Sequence, residues 1–322
     1  MSITSTLHPI INRYLELMRT LGRRYHAEQR ILESLDRFLT ALGESDLSQE
    51  SFTKWCQTQH HLTPGVLRAH MNMVRKFCLY RRRTESSCFV PDPVLFPGAH
   101  QSIRPYIFTE AQIARLIAAT QTLKPNARSP LRVEVYRLAI VLLYTTGLRR
   151  GELTRLIIKD YDAQAQTLLV RESKFHKSRY LPLSPSTSQE IDRYLQVREQ
   201  RNFSLNAETP LVWDGYGKGY TGQGISEGIH LLYRIADIRK HDGRLPRIHD
   251  MRHTFAVQAL LRWYREHGDL QAKLPLLSIY MGHASVASTQ HYLHFVDELA
   301  EVSSTRFADH YAVLVNVNGE TP

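Results

Sequence analysis

His249-Asp-Met-Arg-His253, then Gly282-His283, then Thr289-Gln-His-Tyr-Leu-His294: from these boxes the rest of the chain can be read. They set histidines, an arginine and a tyrosine at spacings that burying a helix face does not require. His249 and Arg252 lie three residues apart, so on a helix they share one face. His283 follows a glycine, and Tyr292 comes nine residues later, on what the pattern predicts to be a short helix. The combination suits a phosphodiester brought to a phenol, and the upstream chain is read with that expectation.

Immediately upstream the pattern is helical with one interruption. Thr109 and Gln112 form the signature of a capping box. A long apolar helix is expected from Ser129-Pro130 through Leu138, Ile140, Val141, Leu142 and Leu143, halting at Gly147. The segment Thr146-Gly-Leu-Arg149-Arg-Gly-Glu152-Leu follows. Short strands are expected in Thr167–Arg171 and Arg179–Leu183, joined by the polar hairpin Glu172-Ser-Lys174-Phe-His-Lys177-Ser178. After Ser184 the chain returns to helix up to the box at His249.

The first hundred residues read as four helices. His26 to Leu42 carries an apolar stripe that stops at Gly43. The fourth helix opens with Thr63 as N-cap and Pro64 at its first position. Leu67, Met71, Val74 and Cys78 make its core-facing stripe. Arg68, Arg75, Lys76 and the run Arg81-Arg82-Arg83 are assigned to its other face, as DNA-backbone contacts or simply a solvated surface. Between Thr84 and Pro105 Pro91, Pro93, Pro97 and Gly98 crowd together, which predicts a linker and a domain boundary near residue 104. The fold class is therefore mainly α: a helical N-terminal domain (1–104) and a mostly helical second domain (105–322) with one small antiparallel sheet.

Composition narrows the partners. The chain has 322 residues, enough for two cores, and carries a formal charge of +10 with a pI near 9.6. Residues 1–104 hold 14 Lys and Arg against 9 Asp and Glu, so the first third is the more basic. Counterion release makes nucleic acid the leading partner, ahead of an anionic membrane surface. The longest apolar run, Leu138 to Tyr144, is too short for a membrane span, and the N-terminus lacks a secretory pattern. Three cysteines, Cys56, Cys78 and Cys88, form no CxxC pair, as expected for reduced thiols in a cytoplasm.

Arg149 with Glu152, Lys174, His249 with Arg252 and His253, Gly282-His283 and Tyr292-Leu-His294 occur in that order. The set resembles the tyrosine recombinase (phage integrase-like) family of site-specific DNA recombinases, and the resemblance covers most of the chain. It implies a SAM-like core-binding domain ahead of the catalytic domain. It further implies that Tyr292 attacks the scissile phosphate to form a 3′-phosphotyrosyl bond. Arg149 and Arg252 would clamp the non-bridging oxygens, and Lys174 would protonate the departing 5′ oxygen. His249 would be the acid/base partner of the tyrosine and His283 a donor to the phosphate. Glu152 would orient rather than transfer protons, and His253 and His294 would pack or support hydrogen bonds. No metal or cofactor is called for.

Some choices stay open at this point. Lys177 shares the loop of Lys174 and could be the acid, and Tyr280 rivals Tyr292 as nucleophile. The residues between Arg252 and His283 outnumber those of most members, which resembles transposon-borne recombinases. A tail helix over Asp297–Tyr311 is expected, in this family a contact between protomers: a homo-oligomer, dimeric on one DNA site and tetrameric in synapsis, with partner recombinases as a further option. The rivals are a metallohydrolase built on His249 and His253, an inert DNA-binding or architectural protein of the same fold, and a type IB topoisomerase.

Overall fold

Helix ends set by local chemistry divide the chain into its elements. The computed structural model describes residues 7–23, 25–98, 104–171, 178–266, 269–283, 285–293 and 295. Residues 172–177 of the expected hairpin, His294 and the expected tail helix lie outside the described residues. The chain falls into two units, Met1–Ile103 and Arg104–Pro322.

The first unit is built from α1 (His8–Thr20), α2 (His26–Leu42), α3 (Gln49–Thr58) and α4 (Pro64–Arg81). Gly43 ends α2 at φ +69, a left-handed cap that suits glycine. Ser48 caps α3 by accepting from the Ser51 amide, whereas Thr63 holds the N-cap position of α4 without such a bond. Tyr14 sits in the core with its ring 5.6 Å from Phe77 and 5.0 Å from Tyr80.

Two expectations change here. Much of the proline-rich stretch is not a free linker, because Cys88, Pro91 and Phe96 are buried. Arg68 and Arg75 donate to the carbonyls of Pro97 and Pro91, so both fasten this stretch to α4. Arg81 is not a surface charge either. It is 3% exposed, with NH1 on Asp46 at 2.7 Å and NH2 on Glu85 at 2.6 Å. The reason is helical period: residue 81 lies three beyond Cys78 and seven beyond Val74, on the buried stripe. Lys76, Arg82 and Arg83 are exposed.

The second unit is organised around α6 (Arg132–Thr146). Leu138, Ala139, Ile140, Leu142 and Leu143 are each at most 1% exposed, so this helix is apolar nearly all round and serves as the hub. Packed against it are α5 (Glu110–Ala119), α8 (Pro185–Gln200), α9 (Gly222–Ile235) and α10 (His249–Arg265). The short α7 (Arg150–Leu153) follows α6, and α11 (Leu270–Met281) and α12 (Ala287–Gln290) follow α10. Thr109 caps α5 in a full capping box with Gln112. The sheet is three-stranded and antiparallel in the order β1 (Tyr161–Asp162), β2 (Thr167–Val170), β3 (Arg179–Pro182). Val170 pairs with Arg179 and Leu168 with Leu181. No helix of the described residues is long and apolar enough to cross a membrane.

Candidate functional site

The site grows from two helix ends. Gly147 terminates α6 at φ +62, and a Cβ there would lie 2.5 Å from the Phe255 ring. The turn sends the chain straight into Arg149, the N-cap of α7. Gly282 terminates α11 at φ +67, with its amide on Ile279 O and the His283 amide on Ser278 O. That leaves the last carbonyls of α11 to be satisfied from outside the helix.

Three arginines satisfy them in succession. Arg179 Nε donates to Tyr280 O at 2.7 Å, Arg252 NH2 to Met281 O at 2.6 Å, and Arg149 NH2 to Gly282 O at 2.8 Å. The negative end of a helix dipole thus gathers the cations. Arg252 also donates to Gly147 O, tying the ends of α6 and α11 together. Glu152, 2% exposed, is the carboxylate of the cluster. It accepts from the Arg149 amide at 3.0 Å, from Arg149 NH1 at 2.7 Å, and from both NH groups of Arg179 at 3.2 and 3.0 Å. Burial alone would raise the Glu152 pKa; the hydrogen bonds and charges of Arg179, then Arg149, outweigh it and hold the group at about 2. Arg252, 1% exposed, is pulled down to about 9 by burial and by Arg149, and stays cationic at neutral pH.

The histidines and tyrosine stand across this cluster. Tyr292, 2% exposed, packs with Val257, Leu260, Leu277 and Met281 just beyond α12. Its hydroxyl meets His253 Nδ1 at 2.8 Å. His249 was expected in that place, but the four-residue step along α10 sets its ring edge-on to His253, 4.7 Å between centroids. His283 Nδ1 is held by Thr289 Oγ1 at 2.7 Å, and its ring lies 6.4 Å from that of Tyr292, nearly parallel. Tyr280 is engaged elsewhere: its hydroxyl donates to Pro182 O at 3.3 Å and its ring stacks on Phe255.

Burial pushes the Tyr292 phenol up to about 12, with Arg252 and Arg149 pulling the other way. Desolvation, then neighbouring cations, lower His249 and His283 to about 4. His253 falls to about 3, through burial and then His249. All three imidazoles are therefore neutral at pH 7, able to donate at one nitrogen and accept at the other. The His249 ring reaches solvent, so its desolvation counts for less than that of His253.

Arg149, Glu152, His249, Arg252, His253, His283 and Tyr292 are thus brought together. Lys174, Lys177 and His294 lie outside the described residues, and the choice between the lysines stays open. Arg179 and Thr289 join the site through these contacts, although nothing in the spacing of the sequence boxes assigns either a role. Arg179 carries a period-two signal, since it shares the inner face of β3 with the buried Leu181. Thr289 has no such mark.

With this geometry in place the relatives are informative. A profile described as the phage integrase family matches residues 107–298, more than half of the chain. The chain belongs to the phage integrase family. This integrase-family chain is 32% identical over 304 residues to y4rB of Sinorhizobium fredii, named an integrase/recombinase, covering 94% of this chain and 97% of that one. It is 26% identical over 240 residues to the tyrosine recombinase XerC of Lactobacillus leichmannii, 74% of each chain. Among solved structures it is similar to the Tn1549 transposon integrase in complex with transposon right end DNA. That likeness has a TM-score of 0.62 at 19% identity, over 93% of this chain and 99% of that one, and establishes the fold. The resemblance to tyrosine recombinases drawn from the boxes is confirmed.

Proposed function

We propose that this integrase-family protein is a site-specific DNA recombinase that cuts and rejoins strands through Tyr292, in integration, excision or transposition of a mobile element. The observation that carries this reading is the convergence of a histidine-bonded tyrosine with two arginines anchored on one helix end. The Tyr292 oxygen attacks the scissile phosphorus, and its proton passes to His253 Nδ1. Arg149 and Arg252 keep their carbonyl bonds and turn remaining N–H donors to the non-bridging oxygens, with His283 Nε2 as a further donor. The bond to the 5′ oxygen breaks, and Lys174 or Lys177 supplies its proton. A 5′ hydroxyl from another strand then reverses the sequence and releases the tyrosine.

Double-stranded DNA is the partner in this reading. The exposed Lys76, Arg82 and Arg83 of the first unit hold its backbone, and protomers assemble through the tail beyond residue 296. DNA bound to the solved transposon integrase supports the choice of substrate. The test is a nicked suicide duplex carrying the element's own end sequence. A covalent protein–DNA adduct should form, vanish in Tyr292→Phe and persist in Tyr280→Phe. An adduct that survives loss of Tyr292 would overturn the assignment.

A further inference from the structure

Next to the arginine cluster, the start of α7, the middle of α9 and the entry to α10 enclose a cavity of about 400 Å³. Its wall carries Arg150, Ser226, His230, Arg247 and His249. His249 therefore belongs to this cavity as well as to the tyrosine site.

The cations around this wall outnumber the carboxylates that meet them. Arg150 is laid against Gly222, where a Cβ would sit 3.1 Å from its Nε, and NH1 donates to Ser226 Oγ at 2.6 Å. Among the described residues, that hydroxyl is its partner, not a carboxylate. Arg247 places Nε and NH2 on Asp250 Oδ1 at 3.1 and 2.7 Å. Asp250 is fully buried and is already shared with Lys240 at 3.8 Å. Arg234, on α9, adds its positive charge to that of Arg150 at His230. Glu227, also on α9, lines a different cavity with Arg132 and Tyr136 and accepts from Gln223. Burial first, then this surplus of cations, holds the imidazole of His230 below its ordinary range.

Gathering like charges costs free energy unless something of opposite sign completes the group. A planar guanidinium with a neutral partner, a hydroxyl and an imidazole around a cavity that size are the donors a phosphate takes. We propose that this cavity seats a second DNA backbone phosphate, adjacent to the one held by Arg149 and Arg252. Arg150 would exchange its bond to Ser226 for the phosphate oxygen, while Ser226 and His230 donate beside it. Because the shared His249 joins the two sites, a strand seated in both is fixed in register on Tyr292. The inference rests on the strand-transfer reading for its DNA.

The experiment uses the full chain and a short duplex of arbitrary sequence, with affinity followed against salt concentration. One lost phosphate contact should lower the slope of log K against log salt by about 0.9 in Arg150→Ala. Arg150→Lys, which keeps the charge, should retain the slope, and Arg201→Ala, just past the end of α8 and bonded to Glu134, should leave it unchanged. Arg150→Ala should also slow adduct formation on the suicide duplex. A wild-type protein that forms the adduct, with the same slope in Arg150→Ala, overturns this inference and leaves the strand-transfer reading standing. A wild type that neither binds duplex nor forms adduct removes both. If millimolar inorganic phosphate raises the melting temperature of wild type but not of Arg150→Ala, while the slope is unchanged, the cavity takes free phosphate and the DNA assignment fails.

Discussion

Nδ1 of His253 lies 2.8 Å from the Tyr292 hydroxyl, while the His249 ring stands perpendicular to that of His253, 4.7 Å between centroids. The imidazole bonded to the phenol is therefore the one four residues into α10, beyond the arginine rather than before it. A neutral His253 can accept the phenolic proton, which a group held up at about 12 does not give to water at neutral pH.

His253→Ala should therefore slow adduct formation at neutral pH by about 100-fold, within the range usual for loss of a general base. The deficit should shrink as the pH is raised toward the pKa of the phenol. Single-turnover rates on the suicide duplex across pH provide the check. If His249→Ala shows the pH-dependent deficit and His253→Ala does not, the proton goes to His249.

Acid should weaken the fold through the same imidazoles. In the unfolded chain His253 and His283 protonate near 6.5, but in the folded chain only at about 3 and about 4. Between those limits the unfolded state binds more protons, so stability is complete above about 6.5 and falls as pH drops through the window. The melting temperature should be lower at pH 5 than at pH 7, and less pH-dependent in His253→Asn. An unchanged midpoint between those two conditions would mean that burial of these rings costs the folded state nothing.

Arg179 acts through Glu152 and the Tyr280 carbonyl, and is a positioning residue for Arg149. Removing one partner of a buried ion pair costs about 3–5 kcal/mol, and Glu152 keeps Arg149, so Arg179→Ala should fall at the lower end. The cleavage step should suffer more than DNA affinity, because the clamp loses its geometry rather than its charge. Arg179→Lys should recover stability better than rate. Equal losses in affinity and rate would mean that Arg179 contacts DNA itself.

Arg81→Ala should destabilise the first unit by about 1–2 kcal/mol, since the carboxylates it leaves behind are partly solvated. DNA affinity of the folded protein should stay within about twofold. Lys76→Ala and Arg83→Ala should do the opposite, leaving the melting temperature alone and weakening binding by reducing the salt slope. Measuring both properties for all three variants separates the two kinds of cation.

What the sequence made legible follows from what repeats. The helices came from apolar period and end residues, as Gly43, Thr109 and Gly147 illustrate, and the boxes from fixed spacing around Arg149, Arg252 and Tyr292. Arg81 was misplaced because charge outweighed position: the stripe through Val74 and Cys78 already pointed at it. Arg179 was passed over because a single arginine in a short strand resembles any surface residue until Glu152 is seen beneath it. Which of His249 and His253 bonds the phenol could not be read at all, since both share one helix face and only the path of the chain back to Tyr292 selects between them.

The carbonyls at the end of α11 give position 282 a genetic character of its own. A side chain there meets Arg179 at 2.8 Å and disturbs the peptide that faces Arg149. One change thus reaches the anchors of several arginines together, and Gly282→Ala combined with Arg179→Ala should lose little more than Gly282→Ala alone. Residue 282, which contributes no side chain, is epistatic to the residues that do.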